Sequence, residues 1–279
     1  MTRLLQISDL HFGTEQPDVM AALLALSNSK KPDVLVVSGD ITQRAAAEQF
    51  KNAKSFCDSL GIAQMISLPG NHDIPLFNLF ARVLQPYAAY QKAFGQTLEP
   101  ELITPALCLA TVNTTRWWRH KNGDVSAAQI DRVCEQLSRA TPQQLRVVVV
   151  HQPVHVLRPQ DEHDRLRGWE SAVRAWAAAG ADLVMGGHIH LPYVWELSAS
   201  VNGLARRMWC VQAGTAVSSR VRREAPNSVN LVEFGRDSDD PSCRVERWDY
   251  QQSGGNAQSE TNIGQFVLAH TSVLDLQRI

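Results

Sequence analysis

The chain has 279 residues, 44% of them hydrophobic and 20% charged, which supplies a real core and argues against a disordered chain. Lys and Arg number 27 against 28 Asp and Glu, and a net charge of −1 excludes a nucleic-acid binder that works through bulk positive charge. No apolar run approaches the ~20 residues of a membrane helix, and the start MTRLLQISD lacks the apolar stretch of a secretory signal.

Leu4–Ser8 is short, apolar and closed by Asp9, and reads as a buried strand. Val19, Leu23 and Leu26 follow at helical spacing. Val34–Ser38 is the next strand, then a helical stripe of Phe50, Ala53, Cys57 and Leu60, with Gly61 as its stop. Ala63–Leu68 reads as a third strand. Residues 74–100, rich in Leu, Phe and Tyr, read as helices: a cap beside a site, or a self-association surface. Leu107–Val112 is a further strand. Ser126 and Gln129 have capping-box spacing ahead of Ile130, Val133, Cys134 and Leu137. Val147–Val150 and Asp182–Met185 read as strands, separated by the stripe Trp169, Val173, Trp176 that Gly180 ends. This alternation implies an α/β fold with much parallel sheet.

After residue 190 the pattern turns to strands and turns: Tyr193–Leu197, Arg207–Gln212, Ser228–Phe234, Cys243–Tyr250 and Gln265–Ala269. Stretches 235–241 and 251–262 read as polar loops. Nothing splits the chain, so 1–279 is expected to be one domain. The five cysteines (Cys57, Cys108, Cys134, Cys210, Cys243) are odd in number and form no CxxC pair. They read as reduced thiols in a cytoplasmic protein.

The unusual polar residues fall directly after strands. Asp9 and His11 follow the first; Gly39-Asp40 the second; Gly70-Asn71-His72-Asp73 the third. His151 ends Val147–Val150, and Gly187-His188-Ile189-His190 follows Asp182–Met185. Ligands of open α/β sheets bind outside the carboxyl ends of strands, so these blocks are expected on one rim of a sheet. The rim would hold Asp9, Asp40, Asn71, His11, His151, His188 and His190. Oxygen and imidazole without thiolate suit Mn, Fe or Zn. Residues i and i+2 of an extended segment point the same way, so Asp9 with His11, and His188 with His190, can aim at one pocket. Seven ligands exceed one tetrahedral ion and suit two ions with a bridging carboxylate. Two divalent cations outweigh two aspartates, so the site attracts an anion, and water between them is acidified into a hydroxide nucleophile. His72 is placed to give a proton to a leaving group, and Asp73 is expected to orient it.

In this order, SDLH, SGDIT, PGNHD, VVHQP and GGHIH resemble the calcineurin-like metallophosphoesterase superfamily over residues 8–190. The resemblance implies a four-layer α/β/β/α sandwich with two central mixed sheets, residues 191–279 completing the second. It implies one ion on Asp9, His11 and His190, a second on Asn71, His151 and His188, Asp40 as the bridge, and His72 as the catalytic histidine. Gly39-Asp40-Ile41-Thr42 and the plain GNHD before Ile74-Pro75 are similar to the bacterial class III cyclic-nucleotide phosphodiesterase branch, which implies a small nucleotide-like phosphodiester, such as a cyclic nucleotide, as substrate. Gln43-Arg44-Ala45 departs from the GDxxDRG of protein Ser/Thr phosphatases. His72 departs from the Arg of lipid A pathway pyrophosphatases. Gln152 departs from the HHPP of many cyclic-AMP enzymes. A nuclease of the DNA-repair branch and a non-catalytic interaction module are the alternatives.

Other residues admit two readings. His155 either touches substrate or is structural, while His120, His163 and His270 read as bystanders. Trp117 and Trp118 suit packing in a core or interface more than base stacking. Arg158, Arg165 and Arg167, and Arg220, Arg222 and Arg223, read as solvated surface charge.

Overall fold

A computed structural model describes residues 1–76, 78–119, 121–235, 243–252 and 264–277. The first half runs β1 (Thr2–Ile7), α1 (Pro17–Lys30), β2 (Val34–Ser38), α2 (Ala47–Ser59), β3 (Gln64–Leu68), α3 (Leu79–Leu84), α4 (Ala88–Phe94), β4 (Glu101–Ile103) and β5 (Leu107–Thr111). The second runs α5 (Ala127–Ser138), β6 (Leu145–Val149), α6 (Trp169–Ala178), β7 (Leu183–Gly186), β8 (Tyr193–Glu196), β9 (Trp209–Gln212), β10 (Ser228–Phe234), β11 (Cys243–Gln251) and β12 (Gln265–Leu274).

The strands form two mixed six-stranded sheets, in the orders β12-β11-β10-β1-β2-β3 and β4-β5-β6-β7-β9-β8. β1, β2 and β3 are parallel, as are β5, β6, β7 and β9. Period-2 alternation then sorts the apolar runs into layers. Leu4, Val34, Val36, Ile66 and Leu68 of the first sheet meet Leu109, Val147, Val149, Leu183 and Met185 of the second in one central core. Their neighbours Leu5, Ile7, Leu35 and Val37 face outward onto α1 and α2, through Val19, Leu23, Phe50 and Ala53. Cys108, Ala110, Val148 and Val184 face outward onto α5 and α6, through Ile130, Val133, Val173 and Trp176. This is the expected four-layer α/β/β/α sandwich.

The strand-rich 191–279 part does not go to one sheet. β8 and β9 extend the second, but β10–β12 extend the first, because β10 pairs antiparallel with β1 (Leu5 opposite Leu231). The capping box forms: Ser126 Oγ accepts from the Gln129 N–H at 3.3 Å, and Gln129 Oε1 accepts from the Ser126 N–H at 3.1 Å. Within 74–100, α4 packs Tyr90 and Phe94 against Phe50 of α2, whereas α3 leaves Leu79, Phe80, Val83 and Leu84 exposed. β4 is a three-residue edge strand that the apolar pattern does not announce. The expected polar loops at 235–241 and 251–262 fall almost wholly outside the described residues, as do Phe77 of the 74–100 stretch and His120. The cysteines are all free, four buried and Cys134 half-buried. Among the described residues no helix is long and apolar enough to cross a membrane.

Candidate metal centre

The polar blocks converge, but from two sheets rather than one. β1, β2 and β3 bring Asp9, His11, Asp40 and Asn71; β6 and β7 bring His151, His188 and His190. The facing rims are tied across the gap. His188 N–H donates to Asp9 Oδ2 at 3.0 Å, and Gln6 Nε2 donates to the Gly186 carbonyl at 3.0 Å.

The side chains gather in two groups. In the first, Asp9 Oδ1 lies 3.3 Å from His190 Nε2 and 3.8 Å from His11 Nε2, and the two imidazole Nε2 atoms are 3.3 Å apart. In the second, His151 Nε2 lies 3.3 Å from Asp40 Oδ1 and 3.3 Å from Asn71 Oδ1, with His188 alongside. Asp40 touches both groups, since its Oδ2 is 3.8 Å from His11 Nε2. In each trio, Asp9–His11–His190 and Asp40–His151–His188, one ligand atom per residue lies within 4.8 Å of the others.

Backbone carbonyls aim the rings. Nδ1 of His151 donates to the Ser38 carbonyl at 2.8 Å, Nδ1 of His72 to the Gln43 carbonyl at 3.1 Å, and Nδ1 of His190 to the Arg220 carbonyl. A carbonyl only accepts, so Nδ1 carries a hydrogen and Nε2 faces the pocket, where the neutral ring presents a lone pair. Backbone shape does the rest. Asp9, His11, Asp40, His188 and His190 all adopt positive φ, between 43° and 75°; among the described non-glycine residues only Lys31 and Ala45 share it. This left-handed geometry costs on the order of 1 kcal/mol or more per residue and persists where the surrounding fold enforces it. The backbone is therefore not extended at these pairs: Asp9 and His11 still meet in one group, but His188 turns to His151 while His190 turns to His11. Gly70 and Gly187 let the loops close up, because a Cβ at Gly70 would collide with Asp40, and one at Gly187 with Ser8 and Asp9.

The electrostatics suit cations. Asp40 is 1% exposed. Burial works to raise it, but the adjacent His151 imidazole holds its carboxyl well below the usual range. His151 is correspondingly pushed up to about 9: burial opposes its charge, and the Asp40 carboxylate prevails. Burial lowers both His11 and His188. Nδ1 of His11 and Nδ1 of His188 are buried with no hydrogen-bond partner, and Nε2 of His188 has only the Asp164 carboxylate, at 3.6 Å. Orphaned buried nitrogens are costly, and a lone pair directed at a cation satisfies one. The donor chemistry and these unpartnered atoms fit a pair of transition-metal ions.

Other expectations change. Asp73 does not orient His72. Its carboxylate accepts from the N–H groups of Gly70 (2.8 Å), Ile41 (3.0 Å) and Thr42 (2.8 Å) and from Thr42 Oγ1 (2.9 Å), which clamps the Asp40 loop to the Asn71 loop. Burial, with the charge of Asp40, pushes it up to about 6. Trp117 and Trp118 are not in the core; they are 38% and 59% exposed, edge to face with each other. His155 is buried and stacked on Trp195, and His270 lies on β12. Several arginines are held rather than solvated: Arg158 pairs with Glu224, Arg165 sits over the Trp169 ring, and Arg222 pairs with Asp161 at 3.0 Å. Two site residues escaped the motifs. Asp164 Oδ1, beside the exposed His163, lies 3.6 Å from His188 Nε2, and Arg220 reaches His72. Asp164 ends a short 3-10 helix (Pro159–Asp164) and Arg220 sits in a loop, and no spacing marks either.

A two-sheet sandwich carrying paired carboxylate–histidine groups at one rim is the frame of a metallohydrolase. The chain belongs to the calcineurin-like phosphoesterase family, whose model matches residues 2–192. It is 30% identical over 136 residues to a UDP-2,3-diacylglucosamine pyrophosphatase, LpxG, of Chlamydia trachomatis, a match covering 40% of this chain and 41% of that protein. The chain thus spans about two fifths of that relative's length. A dimetal phosphatase from Danio rerio superposes with TM-score 0.62 at 12% identity, over 88% of this chain and 95% of the other. A purple acid phosphatase, PPD1, from yellow lupin superposes with TM-score 0.61 at 10% identity, over 89% and 51%. These structures share the fold.

Proposed function

We propose that this chain is a dinuclear metal-dependent phosphodiesterase acting on a small, nucleotide-like phosphodiester in the cytoplasm. The observation that carries the reading is the position of Asp40, whose two oxygens face the Asp9–His11–His190 group and the Asn71–His151–His188 group from 3.8 and 3.3 Å. Asp9, His11 and His190 would hold one ion and Asn71, His151 and His188 the other, with Asp40 between the two groups. Mn, Fe and Zn fit this oxygen-and-imidazole set. When bound, such ions supply Lewis-acid activation of water and neutralise charge on phosphoryl oxygens.

The chain's own residues supply the rest. His72 N–H donates to Asp40 Oδ1 at 2.8 Å and so fixes the carboxylate between the groups. Its ring stands edge-on to His11 with centroids 4.8 Å apart, and Nε2 is the atom that exchanges a proton with the leaving oxygen. Asn71 contributes a neutral oxygen, which keeps the pocket positive toward an anion.

A second reading is a pyrophosphate bond, in which each phosphorus likewise carries two bridging oxygens, one ester and one anhydride. Two observations favour it. The relative LpxG is named for a pyrophosphate with two acyl groups. An exposed apolar face (Leu79, Phe80, Val83) begins seven positions past His72 and is tied by Arg82 Nη2 to the Arg119 carbonyl at 3.0 Å, beside Trp117 and Trp118.

Protein loaded with Mn²⁺ tests both readings on bis(p-nitrophenyl) phosphate, p-nitrophenyl phosphate and a UDP-sugar. The expected result is chelator-sensitive turnover of the first above the second. Turnover of the UDP-sugar alone selects the pyrophosphate bond. Absence of metal-dependent turnover of all three overturns the phosphoesterase reading.

A further inference from the structure

Arg220 lies on the connection from β9 to β10, which loops back to the rim. Its backbone accepts at the carbonyl from His190 Nδ1 and from Thr215 Oγ1, the latter at 2.9 Å. Its half-buried side chain reaches across to the first sheet. Nη1 donates to Gln43 Oε1 at 2.8 Å and to His72 Nε2 at 3.3 Å. Gln43 therefore holds two groups at once: its amide oxygen fixes the guanidinium, and its backbone carbonyl fixes His72 Nδ1 at 3.1 Å.

Charge distinguishes this arginine from its neighbours. Arg158 pairs with Glu224 and Arg222 with Asp161, whereas no ion pair involves Arg220 among the described residues. A guanidinium kept partly out of water, without a carboxylate and beside a cluster of imidazoles, is unfavourable until an anion arrives. It has five donors in a planar fork, and among the described residues both side-chain bonds use Nη1. Among the described residues no side-chain hydrogen bond engages Nη2 or Nε, the edge of the fork that suits two oxygens of one phosphoryl group.

We propose that Arg220 anchors the phosphoryl group of the substrate, binding its non-bridging oxygens next to His72, with Gln43 as the residue that positions the guanidinium. The proposal rests on the phosphoesterase reading above. It makes the β9–β10 connection a bifunctional element, with a carbonyl that braces a ligand histidine and a side chain that receives the anion.

The test uses Mn²⁺-loaded wild type, Arg220→Ala and Arg220→Lys. It measures metal content by elemental analysis, inorganic phosphate affinity by calorimetry, and bis(p-nitrophenyl) phosphate kinetics. The brace on His190 is a backbone carbonyl, so both variants are expected to keep the wild-type metal content. Arg220→Ala is expected to bind phosphate about 10- to 100-fold more weakly, the loss of one or two charge-assisted hydrogen bonds. Lys, a point charge without the fork, restores part of the affinity. Unchanged phosphate affinity in Arg220→Ala overturns the proposal. So does a loss of phosphate binding that merely follows a loss of metal. If Arg220→Ala does not fold, Arg220→Gln and Arg220→Lys carry the same comparison. Arg220-dependent phosphate binding without turnover of any ester would sink the phosphoesterase reading and keep the anion site. Undiminished turnover and phosphate affinity in Arg220→Ala would do the reverse.

Discussion

His151 donates its Nδ1 hydrogen to the Ser38 carbonyl at 2.8 Å, joining the end of β6 in the second sheet to the end of β2 in the first. One bond thus sets the tautomer of a candidate ligand and the spacing of the two rims. His151→Ala removes the ligand and leaves the buried carbonyl unpaired. Metal content is expected to fall from about two ions per chain to about one, read by elemental analysis after dialysis. Two retained ions would remove His151 from the ligand set.

His72 is expected to matter for chemistry and not for metal. His72→Ala should keep both ions and lose about 10²–10⁴ in kcat. The loss should be larger for an alkyl leaving group than for p-nitrophenolate, which needs no proton. Equal losses on the two substrates would show that His72 has a binding role instead.

Gly70→Ala places a methyl group against the backbone and carboxylate of Asp40. Neither can retreat, because Asp73 clamps Ile41 and Thr42 to the Gly70 loop. Overpacking of this kind costs about 1–3 kcal/mol. Thermal unfolding in chelator should report a lower Tm for the variant, and metal affinity should fall with it. A variant with wild-type Tm and metal content would show that the two loops are not packed as described.

Burial, with repulsion from Arg165, lowers His155 from an ordinary 6.5 to about 4. The folded state then binds fewer protons than the unfolded one between these values. Its contribution is fully present above about 6.5 and is lost as pH falls toward 4. Urea unfolding of wild type and His155→Phe in chelator, at several pH values from 4 to 7, checks the sign. The Phe variant, which can still stack on Trp195, should show the shallower loss of stability on acidification. Identical slopes would mean that His155 titrates normally.

Much of the site could be read from the sequence because each ligand follows an apolar run directly, and the end of a buried strand has few places to go. Asp9, Asp40 and His151 are of this kind. What could not be read depends on chain closure. Nothing in the Ser228–Phe234 run says that it will lie beside β1, so the division of the late strands between the sheets was hidden, and with it the origin of the rim in two sheets. Arg220 was hidden for the same reason, since the connection carrying it returns to the rim only because β10 crosses to the first sheet. Adjacency misleads at Asp73: its neighbour in sequence is His72, but its partners are the amides of the Asp40 loop. Asp164 comes from a stretch whose charges look like ordinary surface until the fold brings one of them to His188.

The left-handed backbone at Asp9, His11, Asp40, His188 and His190 has a consequence for how the centre fills. The jaws are cocked before any ion arrives, so capture needs little rearrangement and should be quick. Vacating the centre returns the protein to a tensioned frame rather than a relaxed one, and depletion should therefore register first as fragility at the rim while the sandwich beneath it stays whole.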